Sequence, residues 1–246
     1  MGAGIGGLLA RSGHEVVFSG SRDPEKLAHA AELAGPEART ASVGDAVDQA
    51  DVVVMAVPFE RYPDVAREVG EALAGKVVID TSNPIAVRDG RVEFLDLPEG
   101  LTAAQYQQRT LGDVRLVKAF NAICASEIEE LATRMGEERV AVLLAGDDPT
   151  AKETAAGLIE DANFVPVDVG DLADAAVLEP ASTEEAPPVL TEREARLLVQ
   201  AQTGTVALTE ARSRWTNTFG QVQITSASSA NASVRRRGGR TSVPRS

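Results

Sequence analysis

The chain has 246 residues, enough to bury one full core, and a net charge of −13. It has no apolar run of about 18 residues and no charged-then-apolar leader, so neither a membrane span nor a secretory signal is expected. Its single cysteine, Cys124, excludes an internal disulfide and suits a reducing cytoplasm, and the 4% aromatic content argues against base-stacking surfaces for nucleic acid.

In chain order, the first stretch is MGAGIGGLLARSGHEVVFSGSRDPEK. Gly2, Gly4 and Gly7 satisfy G-x-G-x-x-G, the spacing of a dinucleotide-binding turn. A short helix over 8–12 and a strand over 16–18 are expected to follow. After that strand, a dinucleotide fold that takes NAD carries an acidic residue for the ribose 2′-hydroxyl. Here Ser21, Arg22 and, one helical turn on, Lys26 offer a hydroxyl, a guanidinium and an ammonium. That set suits a 2′-phosphate and favours NADP. The structural alternative makes Arg22 and Lys26 solvated charges, with Asp23 as a helix cap and Pro24 at the first helical position. Only Met1 precedes Gly2, so the strand that opens a Rossmann unit is expected to be missing, through a late start or a truncation.

A helix over 24–33, a short strand over 39–43 and a helical turn over 44–49 come next. DVVVMAVP (51–58) is an apolar run read as a strand buried on both faces, ended by Pro58. Helical spacing covers 62–73, and KVVID (76–80) is a second buried strand leading to Ser82 and Asn83. Residues 85–100 read as an excursion at the sheet edge. A helix over 102–110, a strand over 114–120 ending at Asn121, a helix over 124–135, a strand over 140–145, a helix over 150–162 and a strand over 164–169 complete the alternation. The pattern predicts an α/β, Rossmann-like, doubly wound parallel sheet lacking its first strand. Ligands of such sheets bind beyond the carboxyl ends of the strands, which singles out Ser21, Arg22, Val57, Pro58, Ser82, Asn83 and Asn121.

Three segments are expected: a dinucleotide-binding domain over 1–178, a linker and closing helix over 179–202 with a Thr191/Glu194 capping box, and a basic tail over 203–246. The tail holds seven Arg and one Glu and few large apolar residues, so it is expected to lack fixed structure. The acidic remainder repels nucleic acid.

Acid–base candidates are few. His14, at a strand start, and His29, mid-helix, read as structural, and Lys118 near a strand end reads as half of an ion pair. Asp147-Asp148-Pro149 reads as a helix start, and no Cys/His spacing suits a metal.

The run of a glycine turn, GHEVVFSGSRDPEKL, ADVVVMAVPFERY, GKVVIDTSNP, VRLVKAFNAI, AVLLAGDDPTAKETAAGLIED and LTEREARLL resembles the NADPH-dependent oxidoreductases related to deazaflavin (coenzyme F420)-dependent NADP reductase, over residues 2–201. The resemblance implies hydride transfer between NADP and a deazaflavin or flavin-like small molecule, with no catalytic side chain, and a homodimer. It implies that Gly2, Gly4 and Gly7 face the pyrophosphate. Ser21, Arg22 and Lys26 would then hold the 2′-phosphate, Val57 and Pro58 would lie beside the ribose and nicotinamide, and Asn121 and Ile123 would line the nicotinamide. The competing expectation is a truncated or non-catalytic NADP-binding module.

Overall fold

The computed structural model describes residues 1–21, 23–180, 189–202 and 231–235. Helix α1 (Gly2–Arg11) turns through Gly13, at φ +91°, into strand β1 (Glu15–Ser19). Helix α2 (Pro24–Ala34) starts at Asp23, whose carboxylate accepts the Glu25 and Lys26 amides, as expected of that residue. There follow β2 (Ala38–Thr40), α3 (Val43–Gln49), β3 (Val52–Met55), α4 (Tyr62–Leu73) and β4 (Val77–Asp80). Residues 85–94 form a separate hairpin, β5 (Ile85–Arg88) and β6 (Arg91–Phe94), rather than an edge of the main sheet. Then come α5 (Ala103–Leu111), β7 (Arg115–Ala119), α6 (Ile128–Leu131), β8 (Ala141–Gly146), α7 (Pro149–Asp161), β9 (Val165–Asp168), α8 (Glu192–Gln202) and β10 (Asn231–Arg235).

Among the described residues, eight strands make one sheet in the order β2-β1-β10-β3-β4-β7-β8-β9. The expected parallel set is present: β1, β2, β3, β4 and β7 run the same way. Strands β8 and β9 run against them. The connection from β7 to β8 explains the reversal. A parallel return needs a crossover, usually a full helix, and here only the four-residue α6 and a 3-10 turn at Gly136–Glu138 form. The helix expected over 124–135 shrinks to α6 because Asn163, at φ +66°, donates its side-chain amide to the Ala132 and Arg134 carbonyls and turns the chain there.

The sheet is covered on both faces, as the apolar runs required. Val52 and Val54 enter one core with Ile5, Leu9, Phe18 and Leu158, while Val53 and Met55 enter the other with Tyr62, Leu73 and Leu143. Alternate residues of a strand point to opposite faces, so an unbroken apolar run marks a strand with no solvent side.

Asn231–Arg235 differ from the expectation for their segment; the rest of 203–246 and the linker residues 181–188 lie outside the described residues. Strand β10 lies between β1 and β3, antiparallel to both. Strand β10 fills the place between the facing edges of β1 and β3, whose central backbone N–H and C=O groups it pairs. Buried groups of that kind are paired in nearly all folds. A short extended segment with Val234 opposite Val16 and Val52 supplies the pairing.

Candidate functional site

The carboxyl ends of β1, β3, β4 and β7 lie along one edge of the sheet, and the chain order reverses between β1 and β3. Each predicted stretch follows one of those strands: Ser21 after β1, Val57 and Pro58 after β3, Asn83 after β4, and Asn121 and Ile123 after β7. Helix α1 runs back along β1 through a tight turn, so its amino end reaches the same edge.

The glycines do not make a turn. Gly2, Gly4 and Gly7 all lie within α1, none with positive φ. The first intrahelical bond runs from Ile5 N–H to the Met1 carbonyl at 3.0 Å, and among the described residues no side chain caps the amides ahead of it. Those amides and the helix dipole make an anion-favouring end. Gly4 has a packing role that the motif did not reveal. A Cβ at this position would strike the Ile128 side chain of α6.

Beyond β1 the chain bends at Gly20, with φ +82°, and Ser21 Oγ accepts the Asp23 amide at 3.1 Å. Lys26 is exposed, 3.8 Å from the Asp23 carboxylate. Arg22 lies outside the described residues. Val57 is half-buried and Pro58 exposed, while Ile123 is buried.

The structure joins Asn83 and Asn121 directly. Asn83 Nδ2 donates to the Asn121 carbonyl at 2.9 Å, and Asn121 Nδ2 donates to Asn83 Oδ1 at 2.9 Å and to the Leu178 carbonyl at 2.6 Å. Asn121 is buried, and its Oδ1 has no hydrogen-bond partner among the described residues. The residue before it, Phe120, holds φ at +62°, a conformation that costs a non-glycine residue roughly 1–2 kcal/mol. Its ring meets Phe164 edge-on at 5.9 Å, which helps hold that bend. Strain of this kind gathers at binding sites.

Below this loop lies a polar group that the sequence only half disclosed. Lys118 pairs with Asp80 at 2.8 Å, both side chains fully buried, so the ion pair expected of Lys118 is present. Asp80 also accepts the Tyr62 hydroxyl and, at 2.8 Å, the Ser82 amide, and Lys118 donates to the Ser82 carbonyl. Burial foremost, then the Asp80 charge and hydrogen bond, push the Tyr62 phenol well above its ordinary value, with the Ser82 side chain acting the other way. Tyr62 is therefore a neutral donor, not a proton acceptor. An aspartate ending an apolar strand and a tyrosine opening an amphipathic helix carry no sequence signal that they meet. His14 bonds Asp161 at 2.9 Å, away from the strand ends, and His29 is exposed on α2. Asp148 caps α7 through the Ala151 amide at 2.7 Å.

Among the described residues no helix is long and apolar enough to cross a membrane. No cluster of three or more His, Cys, Asp or Glu there could hold a metal.

Residues 1–84 match the family described as NADP oxidoreductase, coenzyme F420-dependent. The F420-dependent NADP reductase of Methanothermobacter marburgensis is 34% identical over 190 residues, covering 72% of this chain and 83% of that protein. This chain belongs to the coenzyme F420-dependent NADP oxidoreductase family. A putative F420-dependent NADP reductase from Arthrobacter sp. FB24 superposes with a TM-score of 0.60 at 26% identity, over 70% of this chain and 82% of that one. A hypothetical protein from Sinorhizobium meliloti, at 24% identity and a TM-score of 0.67, covers 77% of this chain and 90% of its own and shares the fold. The alternation from β1 to β9 in this chain makes a Rossmann-like sheet.

Proposed function

We propose that this member of the family transfers a hydride between NADP(H) and a deazaflavin, and that residues 1–178 bind the nucleotide. One observation carries the reading: Asn83 and Asn121 are locked together beyond β4 and β7, and a buried Asn121 oxygen is left without a partner among the described residues. An orphaned polar atom in such a place fits a ligand amide or hydroxyl, because burying it bare costs about 1–3 kcal/mol. The residues present fit the group. The first amides of α1 would face the pyrophosphate, and Ser21, Arg22 and Lys26 would hold the 2′-phosphate. Val57 and Pro58 would lie against the ribose, and Asn83, Asn121 and Ile123 would bound the nicotinamide.

When bound, NADPH supplies the hydride and the deazaflavin accepts it, or the reverse. The chain's own work is proximity, orientation and the exclusion of water. No side-chain nucleophile is needed, in keeping with a site edge that carries asparagines and apolar residues. A flavin-like acceptor in place of the deazaflavin, a second copy of the chain as partner and a cytoplasmic setting belong to the same reading.

The reading is tested by mixing purified protein with NADPH and the deazaflavin and following absorbance of both. Tight NADPH binding without oxidation by the deazaflavin or by any flavin supports the second reading, a nucleotide-binding module without turnover. The helical conformation of the glycines is what favours that alternative. For the phosphate grip, Arg22→Ala is expected to weaken NADPH binding by about 1–3 kcal/mol and leave NADH nearly unchanged. Equal losses for both coenzymes refute that role.

A further inference from the structure

The buried pair of Lys118 and Asp80 has no contact with solvent, and its other partners point to what it does. Burying a lysine and an aspartate together gives little stability over apolar residues of the same volume. Among the described residues, every remaining side-chain bond that leaves the pair, apart from the Tyr62 hydroxyl, goes to one residue. Asp80 Oδ1 accepts the Ser82 amide at 2.8 Å, and Lys118 Nζ donates to the Ser82 carbonyl. The main chain of Ser82 is thus gripped from both sides. The next residue is Asn83, which exchanges two hydrogen bonds with Asn121, and Asn121 is tied in turn to the Leu178 carbonyl. Polar contacts therefore run unbroken from Tyr62 on α4, through β4 and β7, to the loop that carries both asparagines.

We propose that Lys118 and Asp80, steadied by Tyr62, are positioning residues: they clamp Ser82 so that Asn83 and Asn121 stand at fixed places beside the nicotinamide. This rests on the reading that those asparagines bound the nicotinamide. The clamp itself is a property of the ligand-free chain. Neither Lys118 nor Asp80 touches a reacting atom, and the ion pair acts only through the backbone it holds.

The test compares the full-length wild-type chain with Lys118→Met and with Asp80→Asn/Lys118→Met. The single variant strands a buried charge and is expected to melt far earlier. The double variant removes both charges, and asparagine keeps an acceptor for Tyr62 and the Ser82 amide, so its melting point returns towards wild type while the Ser82 carbonyl stays unheld. In the ligand-free chain, the side-chain amide NMR signals of Asn83 and Asn121 are expected to move towards solvent-exposed positions in the double variant, with most other signals unmoved. With cofactors, the NADPH dissociation constant stays within about threefold while single-turnover hydride transfer slows about a hundredfold, the cost of a small misplacement of reacting groups. Unmoved Asn83 and Asn121 signals, or transfer within about twofold of wild type, overturn the proposal. If the double variant does not fold, Tyr62→Phe removes one bond to Asp80 while keeping the ring, and the same signals are expected to move by a smaller amount. A wild-type chain that binds NADPH but passes no hydride refutes the proposed function alone, since the amide signals still decide the clamp.

Discussion

Alanine at Gly4 and alanine at Gly7 should have opposite effects, though both glycines sit in the same helix. Replacing a helical glycine by alanine gains about 0.8–1.0 kcal/mol from propensity. At Gly7 the new methyl would stand 3.2 Å from Arg11 Nη1 and 3.5 Å from Glu129 Oε1. Arg11 is half-exposed and flexible, so it can swing aside, and most of the gain survives. At Gly4 the methyl would drive into the Ile128 side chain, which is fully buried. Carbon pairs are best separated by about 3.5–4.0 Å, so α1 and α6 must part by an ångström or more. Overpacking of this kind costs about 1–3 kcal/mol, more than propensity returns. Urea melts should therefore show Gly7→Ala more stable than wild type by about 0.5–1 kcal/mol and Gly4→Ala less stable by up to about 2 kcal/mol. Gly4→Ala should also weaken NADPH binding, because the displaced turn is the one proposed to face the phosphates. A Gly4→Ala chain as stable as Gly7→Ala would refute the argument that Gly4 is small for the sake of α6.

The raised Tyr62 phenol makes the folded state prefer the neutral ring, so its stabilisation is complete below the unfolded value of about 10 and is lost as pH rises through the higher folded value. Melting points measured upward from pH 9 should fall steeply at the alkaline end, and Tyr62→Phe should flatten that fall. Proline at Val234 deletes a backbone donor from the middle of the sheet, so Val234→Pro is expected to lower the urea midpoint sharply. A midpoint unchanged from wild type would mean that β10 adds nothing to the sheet. Asp148→Ala removes the α7 cap and should cost about 1 kcal/mol in the same melts, with NADPH binding unaltered.

The elements readable in the sequence were those whose pattern is local. VVVM and VVID announce strands buried on two faces because their apolar runs are unbroken, and Asp23-Pro24 announces a helix start through the aspartate side chain. The positions of Asn83 and Asn121 at strand ends followed from the same alternation. Their pairing did not, because it depends on the bend at Phe120, a residue type with no leaning towards positive φ. The glycine motif was legible as spacing but not as conformation. It suggested a turn, whereas the helix extends to Gly2. The reversal at β8 was hidden because 124–135 carries helical spacing that the Asn163 side chain cuts short. Strand β10 had no pattern of its own. What summons it is the open edge of two distant strands, which composition cannot show.

The place of β10 also sets the order in which this chain can be finished. Asn231 pairs with Ser19, 212 positions earlier in the chain. During synthesis the two halves of the sheet are made long before the piece that joins them leaves the ribosome. Until then the nascent protein carries two raw strand edges side by side, the kind of surface that recruits neighbours into aggregates. Closure then waits on a long-range encounter, which makes folding slow. Yield in cells should accordingly depend on chaperone supply and growth temperature more than the stability of the finished molecule would suggest.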